Sequence, residues 1–270
     1  MDRRTLLAGL AAAPLAACAT PPPGASPDRA LKLVTFNIWH NQGDWAVRRP
    51  LLIEAVRAER PDVIALQEVL EDAAVGLPNQ AATLAEALGA DYRMVFSSTD
   101  AEGEPRRYGN ALITRLPILA HDWKALEPLD DYRTAVRVRL DVGGRPVDVV
   151  DTHLAWQDDA QAVRARQIAD LLAWLPADGT PLIVMGDFNA VQADAGLSVL
   201  TGPRFFSALP RDSVPTTLNP AKGHPNRVID HIFAERTAFR PVEAHLIGNT
   251  PVDGDYPSDH FGVAATVRLG

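Results

Sequence analysis

The sequence has very little cysteine, few aromatic residues and no excess of positive charge. Cys18 is the one cysteine among 270 residues, which excludes an intrachain disulfide and a zinc site built from several cysteines. Lysine and arginine total 26 against 34 aspartate and glutamate residues, so the formal net charge is −8. Because nucleic-acid binding depends largely on neutralising phosphates, nucleic acid is an open but not a favoured partner.

Two widespread catalytic motifs are also absent. The chain has neither a glycine-rich phosphate-binding loop nor the G-x-S-x-G turn that carries the nucleophile of α/β-hydrolases. Nucleoside-triphosphate motors and serine esterases of that type are therefore disfavoured. After residue 20, no apolar run reaches the roughly 18 residues that a membrane-spanning helix needs.

The first 20 residues have the layout of a bacterial export signal. Arg3 and Arg4 precede an apolar stretch rich in leucine and alanine, and small residues follow it. The paired arginines resemble a twin-arginine signal, and residues 15–18 resemble the lipobox of bacterial lipoproteins. We expect residues 1–18 to be an export signal ending at a lipidated Cys18, and residues 19–30 to be an extended tether. The expected location is the periplasm or cell envelope.

From residue 31 onward, short apolar strands alternate with helical segments. Apolar residues at helical spacing predict helices over 51–58, 80–88 and 160–175. Residues 202–226 are rich in Pro, Ser, Thr and Asn and predict a long loop. Without a linker or a visible internal repeat, residues 31–270 are predicted to form a single α/β domain, by default a monomer. The predicted strands are 31–38, 62–66, 92–96, 110–114, 135–140, 146–151, 181–185, 228–233 and 262–269.

Polar residues with ligand or acid–base chemistry stand where these apolar strands stop, which is where α/β folds gather their sites. Carboxylate and amide oxygens in this number suit a hard divalent cation such as Mg²⁺ or Mn²⁺. Imidazoles next to carboxylates suit proton transfer or stabilisation of a charged oxygen. The combination predicts metal-assisted hydrolysis of a phosphate ester. The residues are Asn37, Glu68, His153, Asp187, Asn189, Asp230, Asp259 and His260.

In chain order, the motifs around these residues resemble the endonuclease/exonuclease/phosphatase superfamily, which includes DNase I and bacterial sphingomyelinases. The resemblance spans about residues 31–270. It implies a four-layer α/β/β/α sandwich of two packed mixed β-sheets flanked by helices. His231 departs from the pattern, because the family often has tyrosine there. The matching segments are FN (36–37), QEV (67–69), GNA (109–111), DTHL (151–154), GDFN (186–189), IDHIF (229–233) and SDH (258–260).

The resemblance implies a metal site and a water site. Glu68 is expected to be the principal Mg²⁺ ligand, with Asn37 and Asp259 completing or supporting that site. Asp187 is expected to position or deprotonate the attacking water. Asn189 is expected to hold that water or a phosphate oxygen.

The resemblance also implies roles for the imidazoles. His260, oriented by Asp230, is expected to neutralise charge on the phosphoryl oxygens. His153 is expected to act on the phosphate or on the leaving oxygen, and which imidazole protonates the leaving group stays open. Asn110 is a candidate contact of a catalytic carboxylate or of the phosphate, with a purely structural strand-end amide as the alternative. Arg106, Arg107, Tyr108 and Arg227 are candidate substrate contacts or ordinary loop residues.

These expectations combine into an exported, lipid-anchored, Mg²⁺-dependent phosphoesterase, with phosphodiesters as the favoured substrates. A nuclease is one alternative, and it predicts a basic groove beside the site. A phospholipid or sphingolipid phosphodiesterase is another, and it predicts an exposed apolar loop, for which residues 202–210 with Phe205 and Phe206 are the candidate. A non-catalytic binding lipoprotein with the same fold is the third.

Overall fold

The computed structural model describes residues 29–270. The predicted export signal with Cys18, and the predicted tether as far as residue 28, lie outside the described residues. The tether was predicted to run to residue 30, but the first strand already begins at Arg29, because Arg29 and Ala30 pair with the last strand of the chain. Within residues 29–270, no helix is both long enough and apolar enough to cross a membrane.

The described part of the chain contains twelve β-strands and three α-helices. The strands are β1 (Arg29–Asn37), β2 (Val63–Asp72), β3 (Arg93–Ser98), β4 (Arg106–Thr114), β5 (Ile118–Ala125), β6 (Thr134–Asp141), β7 (Pro146–His153), β8 (Leu182–Asp187), β9 (Phe205–Ser207), β10 (Asp230–Glu235), β11 (Phe239–Ile247) and β12 (Gly262–Leu269). The helices are α1 (Trp45–Glu59), α2 (Gln80–Leu88) and α3 (Gln161–Trp174).

The strands form two six-stranded mixed sheets. The first has the order β11-β12-β1-β2-β4-β3 and the second the order β5-β6-β7-β8-β10-β9. Each sheet has one central parallel pair, β1 with β2 and β7 with β8, and the remaining pairings are antiparallel. Parallel neighbours require a crossover, and α1 and α3 supply it.

The apolar side chains divide into three layers of core. One cluster fills the space between the sheets, with Leu33 and Val136 among its members. A second joins α1 and α2 to the outer face of the first sheet, and a third joins α3 to the outer face of the second. The order helix, sheet, sheet, helix is the predicted four-layer sandwich, and the prediction of the fold is confirmed.

The two sheets contain a repeated structural unit. Each unit runs from a strand through an equally long loop, residues 38–44 or 154–160, into a helix. Each unit contains a buried arginine, which is Arg48 in α1 and Arg164 in α3. In both units the arginine lies the same number of positions after the last residue of the strand. The tripeptide AVR occupies residues 46–48 and 162–164.

The predicted helices and strands agree best with those of the structure where these elements are buried. Strands β5 and β11 were missed because both are edge strands with mostly exposed side chains, and therefore without an apolar pattern. Helix α1 begins six residues before the predicted start, and Asp44 caps it by accepting from two backbone amides of its first turn.

Phe205 and Phe206 require a correction. In the sequence they are the candidates for an exposed apolar loop near the site. They form strand β9 instead, pair with β10, and are 0% and 6% exposed. Two adjacent phenylalanines are buried here because Phe205 packs into the core under α3 and Phe206 into the core between the sheets.

Candidate functional site

The ends of the central strands meet at one edge of the sandwich. β1, β7 and β8 end on this edge, β2 passes it at Gln67 and Glu68, and antiparallel β10 begins there, with Asp230 opposite Asp187. A cavity of about 870 Å³, called the central cavity below, opens at this edge. Its lining includes six of the predicted residues: Glu68, His153, Asp187, Asn189, Asp259 and His260. Asn37 and Asp230 lie behind it and are buried.

Glu68 reaches the cavity because β2 is irregular at this point. The pairing of β2 with β4 shifts between Leu66 and Val69, so Gln67 and Glu68 form a bulge. Glu68 has φ of 60°, in the left-handed region that side chains other than glycine rarely adopt. Such a conformation costs about 1–3 kcal/mol and concentrates at functional sites.

Asn37 connects the two sheets. Its amide Nδ2 donates to Glu68 Oε1 at 3.1 Å and to Asp187 Oδ2 at 3.0 Å. Its Oδ1 accepts from the backbone amide of Trp39 at 3.0 Å, which fixes the orientation of the amide group. In this arrangement Asn37 supports Glu68 and Asp187 directly, and its predicted role as a metal ligand stays a prediction.

Asp187 is the centre of the polar network. Its Oδ1 accepts from the backbone amide of Asn189 at 2.9 Å, and its Oδ2 lies 3.4 Å from His153 Nε2 and 3.8 Å from His260 Nε2. Burial raises the pKa of Asp187, but the charge of the protonated His260 and the hydrogen bonds from Asn37 and the Asn189 amide hold the pKa below its ordinary value. The carboxylate is therefore ionised at neutral pH.

The glycine before Asp187 is required by close backbone contact. A Cβ on Gly186 would lie 1.9 Å from the carbonyl oxygen of Thr152 in the neighbouring strand, and the φ of Gly186 is 144°. This contact explains the glycine of the GDFN segment. It also brings the end of β8 against the end of β7, where His153 lies.

His260 and Asp230 form a buried ion pair. His260 Nδ1 lies 3.2 and 3.1 Å from the two carboxylate oxygens of Asp230. Burial lowers the pKa of His260, but the charges of Asp230 and Asp187 outweigh burial and raise it to about 10. Burial raises the pKa of Asp230 to about 6, against the opposing effect of His260. At neutral pH the pair is therefore an imidazolium and a carboxylate, as the predicted orienting role requires.

His153 is buried and uncharged. Burial lowers its pKa to about 3, with a further contribution from the charge of Arg133. The residue is 5% exposed, at the cavity wall. Its neutral form suits a hydrogen-bond partner of the phosphate better than a proton donor at neutral pH.

Two groups of residues have the chemistry to hold a divalent cation. Burial raises the pKa of Glu68, and the charge of Asp259 across the cavity adds to this. A cation between two desolvated carboxylates would relieve this repulsion, so the oxygen donors fit a hard divalent ion. Among the described residues, Asp187, Asp230 and His260 also have ligand atoms within 4.8 Å of one another.

Two histidines without a predicted role face the same carboxylates. His224 Nε2 lies 3.0 Å from Asp259 Oδ2, and His40 Nε2 lies 3.9 Å from Glu68 Oε2. Both rings line the central cavity. No sequence motif marks either histidine, because each belongs to a loop and meets a carboxylate that lies far away in the chain.

Two of the predicted substrate contacts do not line the central cavity. Asn110 is buried in β4, and its Nδ2 donates to the carbonyl and hydroxyl oxygens of Thr134, both at 3.1 Å. These bonds fit the structural alternative, and the predicted contact of Asn110 with a catalytic carboxylate or with the phosphate stays a prediction. Arg107 pairs with Glu71 at 3.3 Å and stacks on Phe96, away from the cavity lining.

The cavity walls carry both arginines and exposed aromatic rings. Tyr132 and Trp156, which no sequence motif marks, are 74% and 66% exposed at the lining. The lining arginines each have an acidic partner: Arg106 with Asp72 at 3.6 Å, Arg133 with Asp131 at 3.5 Å, and Arg227 with Asp158 at 2.9 Å. The predicted contacts Arg106, Tyr108 and Arg227 do line the cavity.

Comparison with solved structures gives relatives of the same fold. The human Nocturnin catalytic domain with bound sulfate anion is 22% identical, with a TM-score of 0.72 over 89% of this chain and 95% of that one. An endonuclease/exonuclease/phosphatase from Beutenbergia cavernae is 27% identical, with a TM-score of 0.72 over 90% and 72%. D. rerio TDP2 complexed with a single strand DNA product is 20% identical, with a TM-score of 0.72 over 88% and 98%.

Sequence comparison gives the family. No curated protein matches the chain significantly. Residues 34–260, however, match the profile of the Endonuclease/Exonuclease/phosphatase family, and this range contains every polar residue of the site described above. Family members are metal-dependent hydrolases that act on phosphate ester bonds. The chain belongs to the Endonuclease/Exonuclease/phosphatase family and is a hydrolase of this kind.

Proposed function

We propose that the protein is an exported, lipid-anchored, Mg²⁺-dependent phosphodiesterase. The observation that carries this proposal is the setting of Asp187. An ionised carboxylate is held by Asn37 and lies between a neutral and a protonated imidazole, beside the carboxylates of Glu68 and Asp259. This arrangement supplies a proton acceptor, a proton donor and oxygen ligands within one cavity.

The proposed cation site consists of Glu68 and Asp259, with Asn37 in support. A cation bound there would stabilise negative charge on the phosphoryl and leaving oxygens. Mg²⁺ is the favoured ion because the donors are oxygens, and Mn²⁺ accepts the same donors. The buried Asp187, Asp230 and His260 cluster is less suited, because His260 is protonated and already paired with Asp230.

The chain's own residues account for the proton transfers. Asp187 accepts a proton from the attacking water, which Asn189 holds at the cavity wall. Asn189 is itself fixed by a hydrogen bond from its Nδ2 to the carbonyl oxygen of Leu154, at 3.1 Å. His260 faces the same carboxylate as a cation and donates to a phosphoryl or leaving oxygen. His153 contacts the phosphate in its neutral form, which leaves His260 as the available acid.

The charges of the cavity favour a phosphodiester over a phosphomonoester. A diester carries a single negative charge at neutral pH, whereas a monoester carries nearly two. The lining arginines Arg106, Arg133 and Arg227 are each partly neutralised by a carboxylate. The cavity therefore has limited unpaired positive charge with which to bind a dianion.

A nuclease is the second candidate. The similar structure of D. rerio TDP2 is complexed with a single strand DNA product. The acidic lining of the cavity disfavours a long nucleic acid as substrate. Six carboxylates lie there, those of Glu68, Asp100, Asp131, Asp158, Asp187 and Asp259. This lining lacks the basic groove that a nuclease predicts. The exposed rings of Tyr132 and Trp156 suit stacking on a base or another planar group of a short substrate.

The other two alternatives receive less support. The lipid phosphodiesterase prediction depended on Phe205 and Phe206 as an exposed loop, and both are buried. A non-catalytic binding protein would not need Asp187, His260 and Asp230 in a fully connected charged network. Export and lipidation are proposed on the pattern of residues 1–18 and on Cys18 alone.

Hydrolysis of bis(p-nitrophenyl) phosphate and of p-nitrophenyl phosphate tests the proposal. We expect Mg²⁺-dependent release from the diester in excess of the monoester, abolished by EDTA. Asp187→Asn and His260→Ala are expected to abolish turnover while the fold, followed by circular dichroism, is retained. Equal turnover in the presence of EDTA, or preference for the monoester, would contradict the proposed function.

A further inference from the structure

Arg48 of α1 is buried, and its side chain bonds only to backbone carbonyl oxygens. A guanidinium has five N–H groups, and Arg48 makes five hydrogen bonds. Nη1 donates to Ile38 at 2.9 Å and Pro257 at 2.7 Å, Nη2 to Trp39 at 3.1 Å and His40 at 2.8 Å, and Nε to Gln42 at 2.9 Å. The side chain therefore has no N–H left for a carboxylate.

These five bonds join two separate parts of the site. Ile38, Trp39, His40 and Gln42 belong to the loop that follows β1, whereas Pro257 directly precedes the SDH segment at 258–260. The same Nη1 atom contacts both loops. One guanidinium thus sets the distance between the segment that carries His40 and the segment that carries Asp259.

The loop after β1 has a conformation that needs such support. Trp39 and His40 have φ of 56° and 28°, two consecutive left-handed residues that are not glycine. Strained backbone of this kind persists when its surroundings over-determine it. Arg48 Nη2 bonds the carbonyl oxygens of both residues, and the guanidinium lies 5.1 Å from the ring of Trp39 and 5.3 Å from the ring of Trp45.

We propose that Arg48 is a positioning residue of the cation site, which acts by fixing the loop after β1 against the segment that carries Asp259. The inference rests on the proposed function, because it needs a cation at Glu68 and Asp259. Arg48 touches neither the substrate cavity nor the reacting atoms. Its effect on cation affinity passes through the backbone and through the placement of Asp259.

Arg164 of α3 supplies a matched control from the second repeated unit. It is also buried, and its Nη1 donates to the carbonyl oxygens of Ala155 at 3.1 Å and Gln157 at 2.8 Å. These carbonyls lie in the loop after β7, which follows His153 in the chain and belongs neither to the loop after β1 nor to the segment that carries Asp259. Unlike Arg48, it also binds a carboxylate, since its Nη2 lies 3.2 Å from Asp194 Oδ2. Arg164 therefore resembles Arg48 in burial and in holding the loop after a strand, but it holds a different segment.

The test compares Mn²⁺ binding by the wild type, Arg48→Lys and Arg164→Lys, without substrate. Free Mn²⁺ is followed by electron paramagnetic resonance at a temperature where thermal unfolding shows all three to be folded. Lysine keeps the charge but cannot hold five carbonyls. We expect Arg48→Lys to weaken Mn²⁺ binding about 10- to 100-fold. Arg164→Lys is expected to leave the Mn²⁺ affinity at the wild-type value, even if its melting temperature falls equally.

Three results would overturn the inference. Wild-type affinity in Arg48→Lys is the first, and equal loss of affinity in both arginine variants is the second, because it would indicate general destabilisation. Absence of Mn²⁺ binding by the wild type is the third. This result contradicts the proposed function itself, and it can be told apart from failure of the Arg48 inference alone because it appears in the wild type.

A second variant covers the case in which Arg48→Lys does not fold. Ser258 Oγ donates to the carbonyl oxygen of Asn37 at 2.7 Å, which is another link between the same two segments. Ser258→Ala removes this link with little change in volume. It also removes the bond from Oγ to Asp259 Oδ1 at 3.3 Å and the bond that Oγ accepts from the His260 amide at 3.2 Å. We expect weaker Mn²⁺ binding, and wild-type affinity in Ser258→Ala would count against the positioning of the cation site by these links.

Discussion

Asn37 Nδ2 lies 3.0 Å from Asp187 Oδ2, and this hydrogen bond joins the end of β1 in one sheet to the end of β8 in the other. The same nitrogen donates to Glu68, so a single amide holds the proposed cation ligand and the proposed base at a fixed separation. A neutral donor is well suited to this position, because it lies between two carboxylates whose mutual repulsion it reduces.

Asn37→Asp tests this relationship with almost no change in shape. The variant loses both donated hydrogen bonds and places a third carboxylate between Glu68 and Asp187. We expect kcat/KM on bis(p-nitrophenyl) phosphate to fall roughly 10- to 100-fold. Asn249→Asp adds the same charge at an exposed position and serves as the control. Similar activity of both variants would show that the bridging amide is unimportant.

Asp230→Asn is expected to change the pH dependence of turnover. His260 acts as a cation, and its pKa of about 10 depends on the Asp230 and Asp187 carboxylates. Activity should therefore fall as the pH rises through that value. Without the Asp230 charge, the pKa of His260 decreases, and the alkaline limb of the kcat profile should move to lower pH. We expect kcat at neutral pH to fall about 10²-fold or more. An alkaline limb at the wild-type position would contradict the assignment of His260 as the acid.

His231 is expected to make the fold sensitive to acid without taking part in catalysis. Burial lowers its pKa to about 4, although its Nε2 contacts the carbonyl oxygen of Ala190 at 2.9 Å. The pKa of a histidine in the unfolded chain is about 6.5. At pH values between about 6.5 and the folded pKa of about 4, the unfolded chain therefore binds a proton that the folded chain does not, and stability falls as the pH falls.

His231→Phe removes this contribution to acid sensitivity. The ring environment suits the substitution, since Phe188 and Phe233 lie 5.7 and 5.3 Å from the imidazole. Urea denaturation near pH 7 and near pH 4.5 should show a smaller loss of unfolding free energy in the variant. His153, with a pKa of about 3, contributes to the loss in both proteins. Equal losses in the two proteins would rule out a neutral, buried His231.

Asn110→Ala separates a structural role from substrate binding. The variant removes one hydrogen bond to the carbonyl oxygen of Thr134 and one to its hydroxyl oxygen, and the carbonyl keeps the bond from Thr152 Oγ1 at 3.2 Å. We expect the unfolding free energy to fall by about 1–3 kcal/mol. If the amide only holds β6 against β4, then kcat/KM should change little. Unchanged stability together with a large rise in KM would instead support the substrate contact that the sequence suggested.

The sequence predicted those parts of the fold in which buried strands and helices have a recognisable apolar pattern. Central strands such as β8 are apolar throughout and end on the site residues, so both the sheet and the meeting of its polar ends were predictable. Edge strands β5 and β11 face solvent and carry no such pattern. The start of α1 was missed because the buried residue of its first turns is Arg48 rather than an apolar residue.

The site residues that sequence reasoning missed depend on contacts between distant segments. His224 meets Asp259 and His40 meets Glu68 only after the loops have folded over the cavity, so no local motif marks them. The Arg48 side chain donates only to backbone carbonyl oxygens. Because every residue has one, no sequence pattern predicts these contacts. One short similarity does occur in the sequence: the tripeptide AVR is found at 46–48 and at 162–164, at the two arginines that hold the loops after β1 and β7.

The most direct test of the account measures cation binding and turnover on the same preparations of wild type, Glu68→Gln and Asp187→Asn. Mn²⁺ affinity without substrate reports the cation site, and Mn²⁺-dependent hydrolysis of bis(p-nitrophenyl) phosphate reports the chemistry. We expect Glu68→Gln to lose both, and Asp187→Asn to retain Mn²⁺ binding while losing turnover. Retention of wild-type Mn²⁺ affinity in Glu68→Gln, together with its loss in Asp187→Asn, would place the cation in the Asp187, Asp230 and His260 cluster and contradict the proposed division of roles.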